Sequence, residues 1–158
     1  MTKKVKPKPP KSVAQTKPTM FLSPFNTMEY VVIQAPEQLN LLGKSFGRIA
    51  DDLDDSSEGF AATARVMYNP NYGYMGIIYY PAMLEDDLPR VMRTLCHECV
   101  HIWQGYSQEV LCEENPSAEF EAYTIEEFFS RSVGEYYRLL EINEKWEAAH
   151  LPSLEKVA

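Results

Sequence analysis

The sequence predicts an α+β protein in which a small sheet packs on several amphipathic helices. Runs rich in β-branched and aromatic residues are the first indication, and they cover 27–34, 61–68 and 74–80. Apolar residues spaced three and four positions apart are the second, and they mark helices within 36–53, 86–105 and 115–146. Because a turn signal joins the second and third runs, we expect a mostly antiparallel sheet of about three strands.

A basic tail and a single domain account for the 158 residues. Residues 1–20 contain six lysines, four prolines and no acidic residue, so we expect them to be disordered. Residues 21–158 form the predicted domain, which has nine basic and 23 acidic residues and a net charge of −14. That charge repels phosphates and makes the domain a poor general binder of nucleic acid. The tail is compatible with a solvated segment, with a contact to nucleic acid or an acidic partner, and with an address tag.

Three features of the sequence predict a cytoplasmic protein without a membrane span. No run of 18 apolar residues occurs, and the basic N-terminus is not followed by the apolar segment of a secretory signal. The three cysteines are an odd number, which argues against a disulfide framework and fits a reducing compartment.

The N-terminal half of the domain is predicted to form a strand, a helix and a hairpin in that order. Pro36 suits the first turn of the helix that follows the first strand. The apolar face of this helix consists of Leu39, Leu42, Phe46, Ile49 and Leu53. A turn signal at Asn69–Gly73 then joins the second and third strands, and Pro81 ends the third.

The next helix has signals at both of its ends. Asp86-Asp87 precedes it and Pro89 fits its first turn. The helix is expected to end near Gly105. Its predicted apolar stripe consists of Met92, Cys96, Cys99 and Trp103. We therefore interpret the two cysteines as packing residues rather than as a redox or zinc pair.

A C-terminal helical region is predicted to begin with Asn115 as N-cap and Pro116 in the first turn. Gly134 is expected to break or kink this region. A last helical stretch then follows, with Tyr137, Leu140 and Trp146 on its apolar side.

The stretch His97-Glu98-Cys99-Val100-His101 carries the most specific chemical signal of the chain. It has the form H-E-x-x-H, and its spacing places two of the three histidines on one helix face, where both imidazoles can hold one metal ion. Glu98 lies beside that pair, too far round the helix to be a ligand but placed to hold a metal-bound water. We therefore predict a Zn²⁺ site with His97 and His101 as metal ligands and Glu98 as the catalytic residue.

A catalytic zinc takes three protein ligands, so one more is required. Glu121 lies at the centre of the apolar face of its helix, about 40° from Ile125 and about 20° from Phe128, and a carboxylate buried there needs a cation. We predict Glu121 as the third metal ligand. Alternatively, Glu121 forms an ion pair with Arg131 or Arg138. The other candidates for the third ligand are Cys112 and His150.

The segment around the motif resembles two groups of zinc metallopeptidases. H-E-x-x-H followed by Glu121-Ala122, with Glu121 twenty residues after His101, is similar to the gluzincin pattern. The order of strand, turn and Thr94-Leu95-Cys96-His97 resembles SprT-type metalloproteases, which complete the zinc site with a downstream histidine that this chain lacks. The resemblance covers residues 74–129, and it implies a zincin-like fold, bound zinc and a peptide or protein substrate.

The resemblance also implies how the substrate is held. In zincins the strand before the motif helix offers an open edge to an extended peptide, and the equivalent strand here would contact substrate through Gly76, Ile77 and Ile78. Glu98 would return its proton to the leaving amine, and a further donor is needed for the oxyanion. The side chains that fit the donor role are Tyr123 and Tyr106, followed by Tyr136, Tyr137 and His150.

Two other functions are compatible with the same motif. One is a non-catalytic binding or structural protein that keeps a zincin scaffold, and the other is a metal-dependent hydrolase of non-peptide substrates. The intact Glu98 favours catalysis, because a scaffold has no need of a base beside the metal. The small size also suggests a phage-like protein, for which the host cytoplasm or the virion is the expected location.

Overall fold

Four strands and three α-helices make up the part of the chain that the structure describes. The structure is a computed structural model, and it describes residues 11–43, 62–70 and 73–150. The strands are β1 (Phe21–Leu22), β2 (Glu29–Ile33), β3 (Thr63–Asn69) and β4 (Gly73–Tyr79). The helices are α1 (Glu37–Asn40), α2 (Leu88–Gly105) and α3 (Ala118–His150). The predicted α+β class is confirmed, with one strand more than expected.

The four strands form one sheet in the order β1-β2-β4-β3. β1 runs antiparallel to β2, and β3 runs antiparallel to β4, which confirms the predicted hairpin. β2 and β4 lie side by side in parallel, with Val31 opposite Ile77. The sheet is therefore mixed: two of its three pairings are antiparallel, as expected, and the expectation of about three strands is wrong because there are four.

The central position of β4 determines which backbone is free to bind a ligand. Gly76 faces Tyr30 of β2 on one side and Val66 of β3 on the other. The expectation that Gly76, Ile77 and Ile78 offer an open edge is therefore wrong, because pairing with two neighbours occupies the backbone of a central strand. Among the described strands, β3 is the edge strand on this side of the sheet.

Apolar side chains cover both faces of the sheet. On one face, Ile78 packs in a core with Leu95 of α2 and Phe128 of α3. On the other face, Ile77 packs in a second core with Leu39 of α1. Since successive strand residues point to opposite faces, burial on both sides requires the nearly continuous apolar runs from which β2 and β4 were predicted.

The segment that precedes β1 packs against α3, so the predicted disorder of residues 1–20 is wrong from Lys11 onward. Val13 is buried in the same core as the helices. The backbone N–H of Thr19 donates to Oε1 of Glu135 at 3.1 Å. Composition did not indicate this packing because only a few apolar side chains, Val13, Pro18 and Met20, make the contacts, and a buried carboxylate of α3 accepts the backbone hydrogen bond. The first ten residues lie outside the described part.

The helix predicted after Pro36 begins where it was expected. α1 follows Pro36 directly, Leu39 is fully buried, and Leu42 packs against the second core. The rest of the predicted apolar face, Phe46, Ile49 and Leu53, lies outside the described residues. α1 ends at Asn40 and a turn follows at Leu41 and Leu42, so the expected continuous helix is wrong at these residues, and its later part is untested.

α2 begins at its predicted N-terminal signal. The side chain of Asp87 accepts a hydrogen bond from the backbone N–H of Arg90 at 2.8 Å and so caps the helix. The hydroxyl of Tyr80, directly after β4, donates to Oδ2 of Asp86 at 2.5 Å. These two contacts fix the helix start relative to the sheet.

The buried face of α2 is rotated from the predicted apolar stripe. Its members are Val91, Leu95, Glu98, Cys99, Ile102 and Trp103. Packing by Cys99 is confirmed, whereas Cys96 is exposed and its assignment to the core is wrong. On a helical wheel the observed face lies about 60–70° from the predicted one. This rotation buries Glu98 and leaves His97 and His101 exposed.

α2 ends at Gly105, as predicted, and Gly105 is also a position of close contact. The chain continues as a π-helical segment, Tyr106–Leu111, and leaves it at Cys112 in the left-handed conformation with φ of 51°. A methyl group on Gly105 would lie 2.7 Å from Cγ2 and 2.9 Å from Cβ of Val66 in β3. The missing side chain thus allows α2 to approach β3 closely.

Gly105→Ala is expected to destabilise the protein. Overpacking costs about 1–3 kcal/mol, which outweighs the gain of about 1 kcal/mol in helix propensity. The matched control is Gly134→Ala in α3, where a methyl group meets nothing within 4 Å. That control should raise the free energy of unfolding by about 0.5–1 kcal/mol. Denaturant unfolding measures both, and changes of the same sign would contradict the close contact at Val66.

α3 is one continuous helix of 33 residues, about 50 Å long, so the predicted break at Gly134 is wrong. Ser117 caps it, since its Oγ accepts a hydrogen bond from the backbone N–H of Phe120 at 3.2 Å. The cap therefore lies two residues after the predicted Asn115. Although α3 is long, no helix in residues 11–43, 62–70 and 73–150 is both long and apolar enough to cross a bilayer.

Candidate metal site

His97 and His101 bring two ring nitrogens together on the exposed side of α2. Their Nε2 atoms are 3.1 Å apart, and their rings are nearly perpendicular, with an interplanar angle of 88°. Two nitrogen ligands of one tetrahedral zinc ion, each at about 2.0–2.1 Å, would be separated by about 3.3–3.4 Å. The spacing therefore suits two ligands of a single ion, as the motif predicts.

Glu98 places a nearly buried carboxylate beside this pair. The residue is 5% exposed, and within the described ranges its carboxylate has no hydrogen bond or ion pair with another side chain or backbone group. Burial raises the pKa of the Glu98 carboxyl, and the imidazoles of His97 and His101 lower it in part. Because Glu98 lines a cavity and its carboxylate makes no such contact, this group is free to bind a ligand or to carry a proton.

Glu98 and the two histidines line a cavity of about 280 Å³ between α2 and β3. The opposite wall consists of Ala62, Thr63 and Ala64 at the start of β3. Because β3 is the edge strand of the described sheet, the cavity lies beside backbone that can still pair on its outer side. Among the described residues of this wall, two are alanines and none has a bulky side chain.

Glu121 lies on the wall of a neighbouring cavity. It is half-buried near the start of α3 and lines a space of about 530 Å³ together with Gln104 and Cys112. Within the described ranges, no group of three or more His, Cys, Asp or Glu side chains is arranged to hold a metal ion. The structure therefore brings together His97, His101 and Glu98, and it does not bring Glu121 to them.

Other contacts exclude the ion pairs that were alternatives for Glu121. Arg138 pairs with Glu135, with Nη2 and Oε1 2.6 Å apart, and Arg131 pairs with Glu127. The proposed pairing of Glu121 with either arginine is therefore wrong. The buried carboxylate of α3 is Glu135, which is 1% exposed.

The two alternative ligands differ in where the fold places them. Cys112 is exposed and shares the cavity wall with Glu121. His150 is the last residue of α3, about 44 Å along the helix from Glu121, and its Nδ1 bonds to the carbonyl of Trp146 at 2.8 Å. His150 is therefore too far away to join the pair.

Neither predicted oxyanion donor lines the histidine cavity. Tyr106 is fully buried, and its hydroxyl donates to the carbonyl of Pro24 at 2.5 Å and lies 2.8 Å from Oγ1 of Thr27. Its assignment as oxyanion donor is wrong, because the hydroxyl proton is already used in tying the π-helical segment to the loop before β2. Tyr123 is 65% exposed on α3 and does not line the cavity.

Two residues at the site were not found from the sequence. Thr63 supplies the single hydroxyl among the side chains that line the histidine cavity. Oε1 of Gln104 lies 3.1 Å from Nδ1 of His101. The position of Gln104, three residues after a motif histidine, is a signal that the sequence contained, whereas Thr63 reaches the site only through the pairing of β3 with β4.

No protein-family model, no curated protein and no solved structure matches the chain. The likeness to gluzincins and SprT-type metalloproteases thus stays a prediction from the motif and its surroundings. The chemistry of the site rests on the side chains described above.

Proposed function

We propose that the chain is a zinc-dependent peptidase in which Glu98 is the general base. The observation that carries this proposal is the Glu98 carboxylate, which makes no hydrogen bond or ion pair in the described part of the chain and shares one cavity with two imidazole nitrogens 3.1 Å apart. A carboxylate buried for structural reasons acquires an ion pair, as Glu135 does with Arg138. A cation with its bound water would supply the partners that Glu98 lacks.

The proposed roles follow from the chemistry of the three side chains. His97 and His101 hold the ion through their Nε2 atoms. Zinc, when bound, lowers the pKa of its water to about 7 and polarises a carbonyl group. Glu98 takes a proton from the attacking water onto its carboxylate and returns it to the leaving amine.

An extended peptide is proposed to bind along the outer edge of β3. Thr63 and Ala64, at the start of this strand, line the cavity that contains Glu98. A peptide that adds to the sheet here would pair its backbone with β3 and pass its scissile bond across the motif face of α2. The edge strand β3 thus replaces the central strand β4 in the substrate-binding role.

Glu121 is the proposed third ligand. It lines one cavity with Gln104, which contacts His101, and a movement of its side chain toward the pair is part of the proposal. Glu121→Gln should weaken zinc binding by more than the roughly 10–100-fold typical of an outer partner. Glu119→Gln, an exposed carboxylate of the same turn, should leave the affinity unchanged. Competition with a chromophoric chelator measures both, and equal affinities would assign the third position to another donor.

Digestion of a mixture of unstructured peptides, followed by mass spectrometry, tests the proposed activity. We expect new peptide termini with zinc-loaded protein, none after chelation, and recovery on adding zinc. The products should be the same across independent preparations of the wild type. Zinc binding without cleavage of any peptide would contradict the proposal, and would favour the non-catalytic scaffold or a non-peptide substrate.

A further inference from the structure

Gln104 connects the histidine pair to the neighbouring cavity. Its Oε1 lies 3.1 Å from Nδ1 of His101, while Nε2 of His101 lies 3.1 Å from Nε2 of His97. The side chain of Gln104 is exposed and lines the 530 Å³ cavity. Within the described part of the chain, the contact with His101 is the one side-chain hydrogen bond that Gln104 makes.

The direction of these bonds determines where the proton of His101 lies. An amide oxygen only accepts, so the contact requires a proton on Nδ1 of His101. A neutral imidazole carries a single ring proton, so Nε2 of His101 is then a bare acceptor. In that tautomer the Nε2–H of His97, 3.1 Å away, is the matching donor. The contact with Gln104 therefore selects the tautomer whose free lone pair lies on the nitrogen that faces the pair.

We propose that Gln104 is a positioning residue, which holds His101 in the Nδ1–H tautomer and in the rotamer that presents Nε2 to the metal site. One turn of α2 separates the two residues, so both lie on the same helix face. An outer partner of this kind fixes a histidine ligand in metal sites generally. The part of this proposal that concerns metal binding rests on the proposed function. The tautomer of His101 does not, because it is a property of the metal-free chain.

Three variants test the proposal in the full-length protein. Gln104→Met removes the acceptor at similar volume, and Gln104→Glu keeps an acceptor at the same place. Gln108→Met is the matched control, because Gln108 lines the same cavity without a hydrogen bond to His101. ¹⁵N NMR of the imidazole nitrogens reports the tautomer of His101 without metal, and chelator competition reports zinc affinity.

We expect the Nδ1–H tautomer of His101 in the wild type, in Gln104→Glu and in Gln108→Met, and its loss in Gln104→Met. Zinc affinity should fall about 10–100-fold in Gln104→Met alone. An unchanged tautomer in Gln104→Met would overturn the proposal, whatever happens to the affinity, and so would a lost tautomer in Gln104→Glu. A wild type that binds no zinc would overturn the proposed function instead, and the metal-free spectra would still decide for or against Gln104.

Discussion

Glu98→Gln is expected to reduce peptide hydrolysis by about 10²–10⁴-fold in kcat, because the amide cannot take a proton from the attacking water. Zinc affinity should stay near that of the wild type, since Glu98 is not a proposed ligand. The substitution keeps the size of the side chain, so the cavity between α2 and β3 is preserved. Steady-state kinetics on a cleaved peptide, together with chelator competition, measure the two effects separately.

The same substitution is expected to stabilise the metal-free protein. Burial raises the pKa of Glu98 in the folded state above its ordinary value of 4.5, so the folded chain binds a proton that the unfolded chain has already released. The free energy of unfolding of the wild type therefore falls as pH rises from that value through the raised pKa. Glu98→Gln has no titratable group at this position and therefore does not lose this free energy of unfolding as the pH rises. The Tm of the variant should exceed that of the wild type by an amount that grows between pH 4 and neutrality.

Glu126→Gln, an exposed carboxylate of α3, is the control for both measurements. It should change neither kcat nor the pH dependence of the Tm. A Glu98→Gln protein with full activity would remove Glu98 from the mechanism. A Glu98→Gln protein with a lower Tm than the wild type at neutral pH would show that the Glu98 carboxylate has a partner in the folded protein.

His97→Ala and His101→Ala are expected to abolish measurable zinc binding, because each removes one of the two nitrogens that form the site. For the wild type, zinc at a hundred times its Kd adds about 2.7 kcal/mol to the free energy of unfolding. In a chain of this size that corresponds to a rise in Tm of roughly 5–10 °C. Both variants should show no such rise, as differential scanning calorimetry with and without zinc would detect.

His150→Ala is the matched control, since it removes the one other histidine, which lies at the far end of α3. Its zinc affinity and zinc-dependent Tm should equal those of the wild type. A zinc-dependent rise that persists in His97→Ala would place the ion elsewhere in the protein. A rise lost in His150→Ala would contradict the location on α2.

Local patterns were enough to predict the motif helix and its neighbours. The Asp87 cap, the hairpin β3–β4 and the shared face of His97 and His101 all depend on residues a few positions apart. Such features are set by backbone hydrogen bonding, by turn chemistry and by the 3.6-residue period of a helix. Tertiary packing changes them little.

Which sector of a helix faces the core could not be predicted in the same way. Periodicity gives the angles between side chains, and both Cys96 and Cys99 fitted an apolar stripe. The observed face is centred elsewhere because α2 docks on the sheet where Gly105 meets Val66. That docking buries Glu98, which an isolated helix would leave in water. The expected burial of Glu121 was wrong for a related reason: Glu121 is half-buried, and the carboxylate that α3 buries is Glu135, fourteen residues further along the helix.

The sequence by itself determined that this protein presents two imidazoles and a carboxylate on one helix, because covalent spacing and helical geometry fix that arrangement. The tertiary structure alone decided that β2 pairs beside β4, that β3 is consequently the edge strand, and that its first residues close a cavity over Glu98. These are contacts between residues far apart in the chain. Which of these contacts form depends on how much apolar surface the whole fold buries, and no local sequence pattern contains that information.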